Sequence, residues 1–137
     1  MRFKTLNGRQ VYRNIEKCRI DWDKKCASKF QFAIKQFFRP FWSVYVCYEE
    51  MPVFGTRLRV DMVNVSKRIA VEAQGTQHDE YNEFFFKNRE AYGHALDNDR
   101  IKYRWLELND FEILELREDE LPLLSPEYIK NEHHIII

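Results

Sequence analysis

The sequence predicts an α/β fold in which a central mixed sheet, a three-stranded antiparallel meander plus a further strand, is flanked by helices. Three observations predict it. Apolar residues recur at three- and four-residue steps between Cys26 and Phe38, strand-like runs joined by short turns fill the stretch from Ser43 to Gly75, and a helix-period segment near Asp97–Leu108 precedes one more apolar run, Phe111–Leu116. The order is therefore helix, three strands, helical segment, strand. A chain of 137 residues is read as one domain, residues 1–137, with one sizeable core.

Residues 1–20 are basic with scattered apolar positions (Phe3, Leu6, Val11, Tyr12, Ile15, Ile20) and read as a short strand or helix, or as a basic N-terminal arm. Asp23 or Ser28 can cap the first helix, whose apolar side is Cys26, Phe30, Ala33, Ile34, Phe37 and Phe38. Its end is expected near Arg39, because Pro40 disfavours the helical region for its predecessor. Ser43–Glu50 reads as a strand, and MPVFGT as a turn punctuated by Pro52 and Gly55. RLRVDMVNV then alternates Leu58, Val60 and Met62 with Arg57, Arg59 and Asp61. Ser66 and Lys67 make a turn, and RIAVEAQG is apolar at nearly every position until Glu72. Strands connected this tightly pair antiparallel. Beyond Gly75 a stretch rich in aromatic and polar residues suggests a short helix from about Glu83 to His94. A second helix, Asp97 to about Leu108, puts Ile101, Trp105 and Leu108 on one face and stops at Asn109.

Composition narrows the function classes. Hydrophobic residues make up 45% and charged residues 32%, which excludes a disordered chain, and no apolar run approaches the roughly 20 residues of a membrane span. The expected compartment is the cytoplasm, with no membrane partner. Cys18, Cys26 and Cys47 are odd in number and lack CxxC spacing, so they read as free thiols. The net charge of zero hides a division: residues 1–40 have eleven Lys/Arg against three Asp/Glu, and residues 41–137 have eleven against nineteen. Charge separated in this way can attract a polyanion to one end, although a charge run is also an ordinary solvated surface.

The chemistry centres on Arg57–His78. Asp61 and Glu72 lie on adjacent strands around one turn, so pairing brings two carboxylates together. Like charges held close raise each other's pKa unless a cation lies between them, and hard oxygen ligands suit Mg²⁺ or Mn²⁺. Glu72 is the more informative of the two, because it interrupts the apolar run Ile69-Ala70-Val71. Gln74, two residues on, shares its strand face; an amide can orient a water but cannot take a proton at neutral pH.

Asp61, ten intervening residues and then Glu72-Ala73-Gln74, after a helix and within a meander, resembles the PD-(D/E)XK nuclease superfamily. The wider stretch PVFGTRLRVDMVNVSKRIAVEAQGTQH looks like compact nucleases related to very-short-patch repair endonucleases and to phage or homing endonucleases of restriction-endonuclease fold. The likeness extends from about Ile20 to Asn109. It implies that Asp61 and Glu72 hold the metal with the Ala73 carbonyl, and that Gln74 stands where the superfamily's usual Lys does. Gln31, on the first helix, falls where relatives often have a Glu and becomes a neutral partner beside the metal. His78 and Lys102 become candidate phosphate or water contacts.

The implied activity is metal-dependent hydrolysis of DNA phosphodiester bonds, with double-stranded DNA as partner and a homodimer or higher homo-oligomer cutting both strands. Arg9, Arg13, Lys24, Lys25, Lys29, Lys35, Arg57 and Lys102 are the expected backbone contacts. The alternative is a catalytically silent nucleic-acid-binding module that keeps the fold, which Gln at positions 31 and 74 favours; a protein-interaction subunit is a third reading. Blander roles compete residue by residue. His78 serves equally well as a structural histidine, Lys102 as a solvated helix residue, and Trp105, Phe84, Phe85 and Phe86 as core or subunit contact rather than as base-stacking platforms. His133 and His134 read as exposed and incidental.

Overall fold

The computed structural model describes the backbone at residues 1–75 and 89–137 and the side chains at residues 1–75 and 97–137. Two short strands, β1 (Arg2–Lys4) and β2 (Gln10–Tyr12), pair as an antiparallel hairpin whose turn contains Gly8 at φ +84°. A 3-10 turn, Glu16–Cys18, follows. The hairpin is not a free arm. Phe3 is 2% exposed and its ring lies 5.6 Å from that of Trp105, so apolar burial fastens it to the body.

Helix α1 spans Lys29–Trp42, and its N-cap is Ser28, whose hydroxyl accepts from the Gln31 N–H at 3.2 Å. It runs through Pro40, three residues past the expected end near Arg39. A proline inside a helix costs about 3 kcal/mol. Burying an indole removes about 200 Å² from water, roughly 5 kcal/mol at 25 cal/mol/Å², and the last turn places Trp42 fully in the core. The turn after the helix is closed by the Tyr45 N–H on the Trp42 carbonyl, so the next strand begins at Cys47 rather than at Ser43.

Strands β3 (Cys47–Pro52), β4 (Arg59–Asn64) and β5 (Ile69–Gln74) form the expected antiparallel meander, and β6 (Glu112–Arg117) adds to it parallel to β5. The four-stranded sheet is thus mixed, in spatial order β3-β4-β5-β6. A parallel neighbour needs a crossover, and α2 (Arg89–Leu108) lies within it. This helix continues through residues 93–97, where the sequence suggested a break between two helices. Asp97 there pairs with Arg100 at 3.3 Å, and the buried Trp105 and Leu106 anchor the same helix to the sheet. The N-terminal part of the expected short helix, residues 83–88, lies outside the described residues, as do Phe84, Phe85 and Phe86.

Each face of the sheet has its own core. On one, Phe30, Ile34, Phe38 and Trp42 of α1 pack with Met62, Val71, Leu114 and Leu116. On the other, Trp105 and Leu106 of α2 and Phe3 of the hairpin pack with Val63, Ala70, Met51 and Val60. The C-terminal tail closes the α1 side. A 3-10 turn, Glu118–Leu123, leads to α3 (Pro126–His133), and Ile129 and Ile135 are buried there. His133 is not incidental: its Nε2 lies 2.6 Å from Glu120 Oε2, which also accepts from the Tyr128 hydroxyl at 2.7 Å.

One local irregularity prepares the site. The β3–β4 ladder has rungs Glu49↔Met62 and Met51↔Val60 but none between Glu50 and Asp61, and Glu50 is left-handed at φ +50°. Met62 belongs to the α1-side core, whereas Met51 and Val60 belong to the α2-side core. The strand pair therefore changes face at Asp61.

Candidate active site

Asp61 and Glu72 stand one residue beyond Met62↔Val71, the last rung of the β4–β5 ladder, and cross-strand neighbours at that distance meet side chain to side chain. The Asp61 Oδ2 accepts the Ala73 backbone N–H at 2.8 Å, so the strand end itself holds the carboxylate. Burial raises the pKa of both acids. For Asp61 the rise is opposed by the Ala73 N–H and by the charge of Lys102. Glu72 is raised further, by burial first and by the Asp61 charge second, against the pull of Lys102. The proximity of the two acids adds to the rise at Glu72, because two like charges held close disfavour ionisation of both.

Lys102 is not a solvated helix residue. Its Nζ reaches in from α2 to 3.2 Å from Glu72 Oε1 and 3.3 Å from Oε2, with side chains only 14% and 4% exposed. Glu72 Oε1 is buried and within ion-pair reach of Lys102 but makes no hydrogen bond. Gln74 is buried on the same strand face as Glu72; its Nε2 donates to the Tyr103 hydroxyl at 2.9 Å, and that hydroxyl donates to Glu115 Oε2 at 2.8 Å.

On the α1 side, Asp61 borders a void of about 10 Å³, room for about one water, that Gln31, Lys35, Glu49 and Ala73 also line. The Gln31 amide is engaged elsewhere: its Nε2 donates to Glu50 Oε1 at 2.8 Å. Lys35 departs from expectation. It is 3% exposed, pairs with Glu49 and donates to the Lys24 carbonyl at 2.8 Å, so it is a buried counter-ion and not a surface phosphate contact. The helix turns this position inward because it lies next to Ile34 on the buried side, and Glu49 on β3 meets its charge.

Outside the void opens a cleft of about 600 Å³, which shares Cys26, Gln31 and Glu49 with it. Five cations, Lys17, Arg19, Lys24, Lys25 and Arg59, face three carboxylates, Asp21, Glu49 and Glu50, and α1 brings no acidic residue in its first turn. Lys24 and Lys25 both line this cleft. Lys29 is exposed at the start of α1, and Arg57 between β3 and β4. Arg9 and Arg13 belong to the hairpin, and Arg13 lies over the Phe54 ring at 5.9 Å. Lys17, Arg19 and Arg59 were not singled out in the sequence, although the first two contribute to the basic excess of residues 1–40 and Arg59 alternates with the apolar positions of its strand. His78 lies outside the described residues.

The two carboxylates are hard oxygen ligands of the kind a divalent cation takes, and Glu72 Oε1, paired with Lys102 but without a hydrogen bond, could accept such an ion. Among the described residues no group of three or more His, Cys, Asp or Glu side chains is placed to hold a metal ion, so a cation here would take its remaining ligands from backbone and water. The thiols are free, and no helix among the described residues is long and apolar enough to cross a membrane.

No protein-family profile and no solved structure matches the chain. It is similar to "Uncharacterized protein 033L" of Invertebrate iridescent virus 3, at 30% identity over 77 residues, which is 56% of this chain. The match covers 40% of that viral protein, so the chain spans about two fifths of the length of the relative it matches.

Proposed function

We propose that the protein is a metal-dependent DNA endonuclease of PD-(D/E)XK type that hydrolyses phosphodiester bonds. The observation that carries the reading is the coupled, buried Asp61/Glu72 pair at the end of the β4–β5 ladder, beside a cleft whose cations outnumber its acids. The element order of helix, three antiparallel strands, helix and parallel strand supports it as well, since the resemblance stated from the sequence implies that order.

Asp61 and Glu72, with the Ala73 carbonyl, would hold Mg²⁺ or Mn²⁺. When bound, such an ion supplies a Lewis acid for the scissile phosphate and for the attacking water. The chain's own groups supply the rest. Asp61 is held in place by the Ala73 N–H, Lys24 and Lys25 align the phosphate backbone in the cleft, and Gln74 orients the water. Lys102 places at Glu72 the ammonium that Gln74 lacks, from the helix instead of the strand. A homodimer, with one strand cut by each subunit, completes the proposal for duplex DNA.

The test is plasmid nicking with Mg²⁺ or Mn²⁺. Cleavage lost in Asp61→Ala/Glu72→Ala is expected; absence of cleavage by the wild type, or full activity of the double variant, overturns the reading. A second reading, a silent DNA-binding module, is favoured by one observation: the Lys102 ammonium already pairs with Glu72 without a metal. Calorimetric titration with Mn²⁺ separates the two, because a silent module binds DNA but shows no binding heat that depends on Asp61.

A further inference from the structure

Gln74 stands where a nuclease of the proposed type has a lysine, so what its amide presents to the site depends on which way round it is held. Three connected groups decide this. Glu115 on β6 is opposite Glu72 in the parallel β5–β6 register, and its Oε2 lies 2.8 Å from the Tyr103 hydroxyl. The hydroxyl donates to this carboxylate oxygen, so the phenolic proton points at Glu115. Having spent its one proton there, the phenolic oxygen can only accept from its other neighbour. That neighbour, 2.9 Å away, must be the amide NH₂ of Gln74, and the amide oxygen then points away from Tyr103. Burial and the Glu115 carboxylate both raise the pKa of the Tyr103 phenol, so the proton that sets the direction stays in place.

We propose that Tyr103 and Glu115 are positioning residues that lock the Gln74 amide with its oxygen as a hydrogen-bond acceptor on the Glu72 face of β5. This rests on the endonuclease reading for its consequence and deepens it. In such a site an acceptor on the strand face of Glu72 orients the attacking water through one of the water's protons, while Lys102 provides the positive charge. The usual lysine combines charge and hydrogen bonding in one side chain; here they are divided between β5 and α2. The direction of the chain originates at Glu115, the neighbour of Glu72 on β6. Gln74 is buried, and Tyr103 packs against the α2-side core.

The experiment uses the full chain with Tyr103→Phe, which keeps the ring, and Glu115→Gln, which removes the fixed acceptor. The side-chain amide resonances of Gln74 are followed by NMR in metal-free protein, and plasmid cleavage is measured with Mn²⁺. In the wild type the Gln74 amide protons should be inequivalent, with one shifted downfield by the bond to Tyr103. That shift should collapse in Tyr103→Phe and weaken in Glu115→Gln. Both variants should lose at least about tenfold in kcat with KM for plasmid and Mn²⁺ affinity unchanged, a split that loss of stability alone does not produce. Unchanged amide resonances in both variants, or an altered amide with wild-type kcat, would overturn the proposal. If the wild type itself does not cleave, the endonuclease reading fails, and the lock stands or falls on the amide resonances alone.

Discussion

Asp61→Asn should make the protein more stable and inactive. The substitution keeps the side-chain oxygen that accepts from the Ala73 N–H but removes one of two buried acids forced together. Asp61 and Glu72 are both raised above their ordinary values, by burial first, and an acid raised in the folded state binds more protons folded than unfolded. Their contribution to stability is therefore largest below the unfolded carboxylate pKa and is lost as pH rises towards the folded values. Relief of strain at a functional site commonly yields about 0.5–2 kcal/mol. For a domain of this size that is about 2–10 °C in Tm, at roughly 3–5 °C per kcal/mol. Glu72→Gln is the less informative change, because it also strips Lys102 of its counter-ion. The assay is thermal unfolding of wild type and Asp61→Asn at about pH 5 and about pH 8, with nicking measured in parallel. The gain should be larger at the higher pH. A variant that melts below wild type at about pH 8, or whose gain is the same at both pH values, would refute the reasoning about the coupled pair.

Three further outcomes are expected. Lys24→Ala/Lys25→Ala should weaken DNA binding and reduce the slope of log affinity against log salt by up to about 1.8, at about 0.9 per phosphate contact, as measured by fluorescence anisotropy; an unchanged slope would remove the cleft from the DNA path. Trp105→Ala should cost about 3–5 kcal/mol in urea unfolding, because the indole is fully buried between α2, Phe3 and the sheet; a cost under about 1 kcal/mol would contradict that packing. Glu120 is partly buried, which alone raises its pKa, but bonds from His133 and Tyr128 outweigh that and lower it. Its stabilising effect is therefore present above the unfolded carboxylate pKa and lost as pH falls through the folded one. Glu120→Gln should lower Tm at about pH 7 and not at about pH 3, and equal effects at both would count against the C-terminal clasp.

The meander and the last strand were legible because period-two runs and short turns encode pairing locally, and the boundaries moved by only a few residues. The end of α1 was not. Pro40 is a local stop signal, and only the tertiary burial of Trp42 overrides it. Lys35 was misread for a similar reason: a lysine on a helix looks solvated until its partner, Glu49, is known to lie across the layer on β3. The parallel pairing of β5 with β6, and the reach of Lys102 to Glu72, depend on a crossover whose geometry no short window of sequence specifies. Asp61 and Glu72 were found because acids in apolar strands are costly and so stand out. Tyr103 and Glu115 give no such signal, since a tyrosine on a helix and a glutamate on a strand are ordinary residues until the hydrogen bonds between them are seen.

The central claim, that Asp61 and Glu72 form a divalent-cation site, is tested most directly by anomalous diffraction from a Mn²⁺-soaked crystal. An anomalous peak between the two carboxylates, absent in an Asp61→Ala/Glu72→Ala crystal soaked in the same way, is the predicted result. Well-ordered carboxylates with no peak between them, and Lys102 still paired with Glu72 at saturating Mn²⁺, would contradict it.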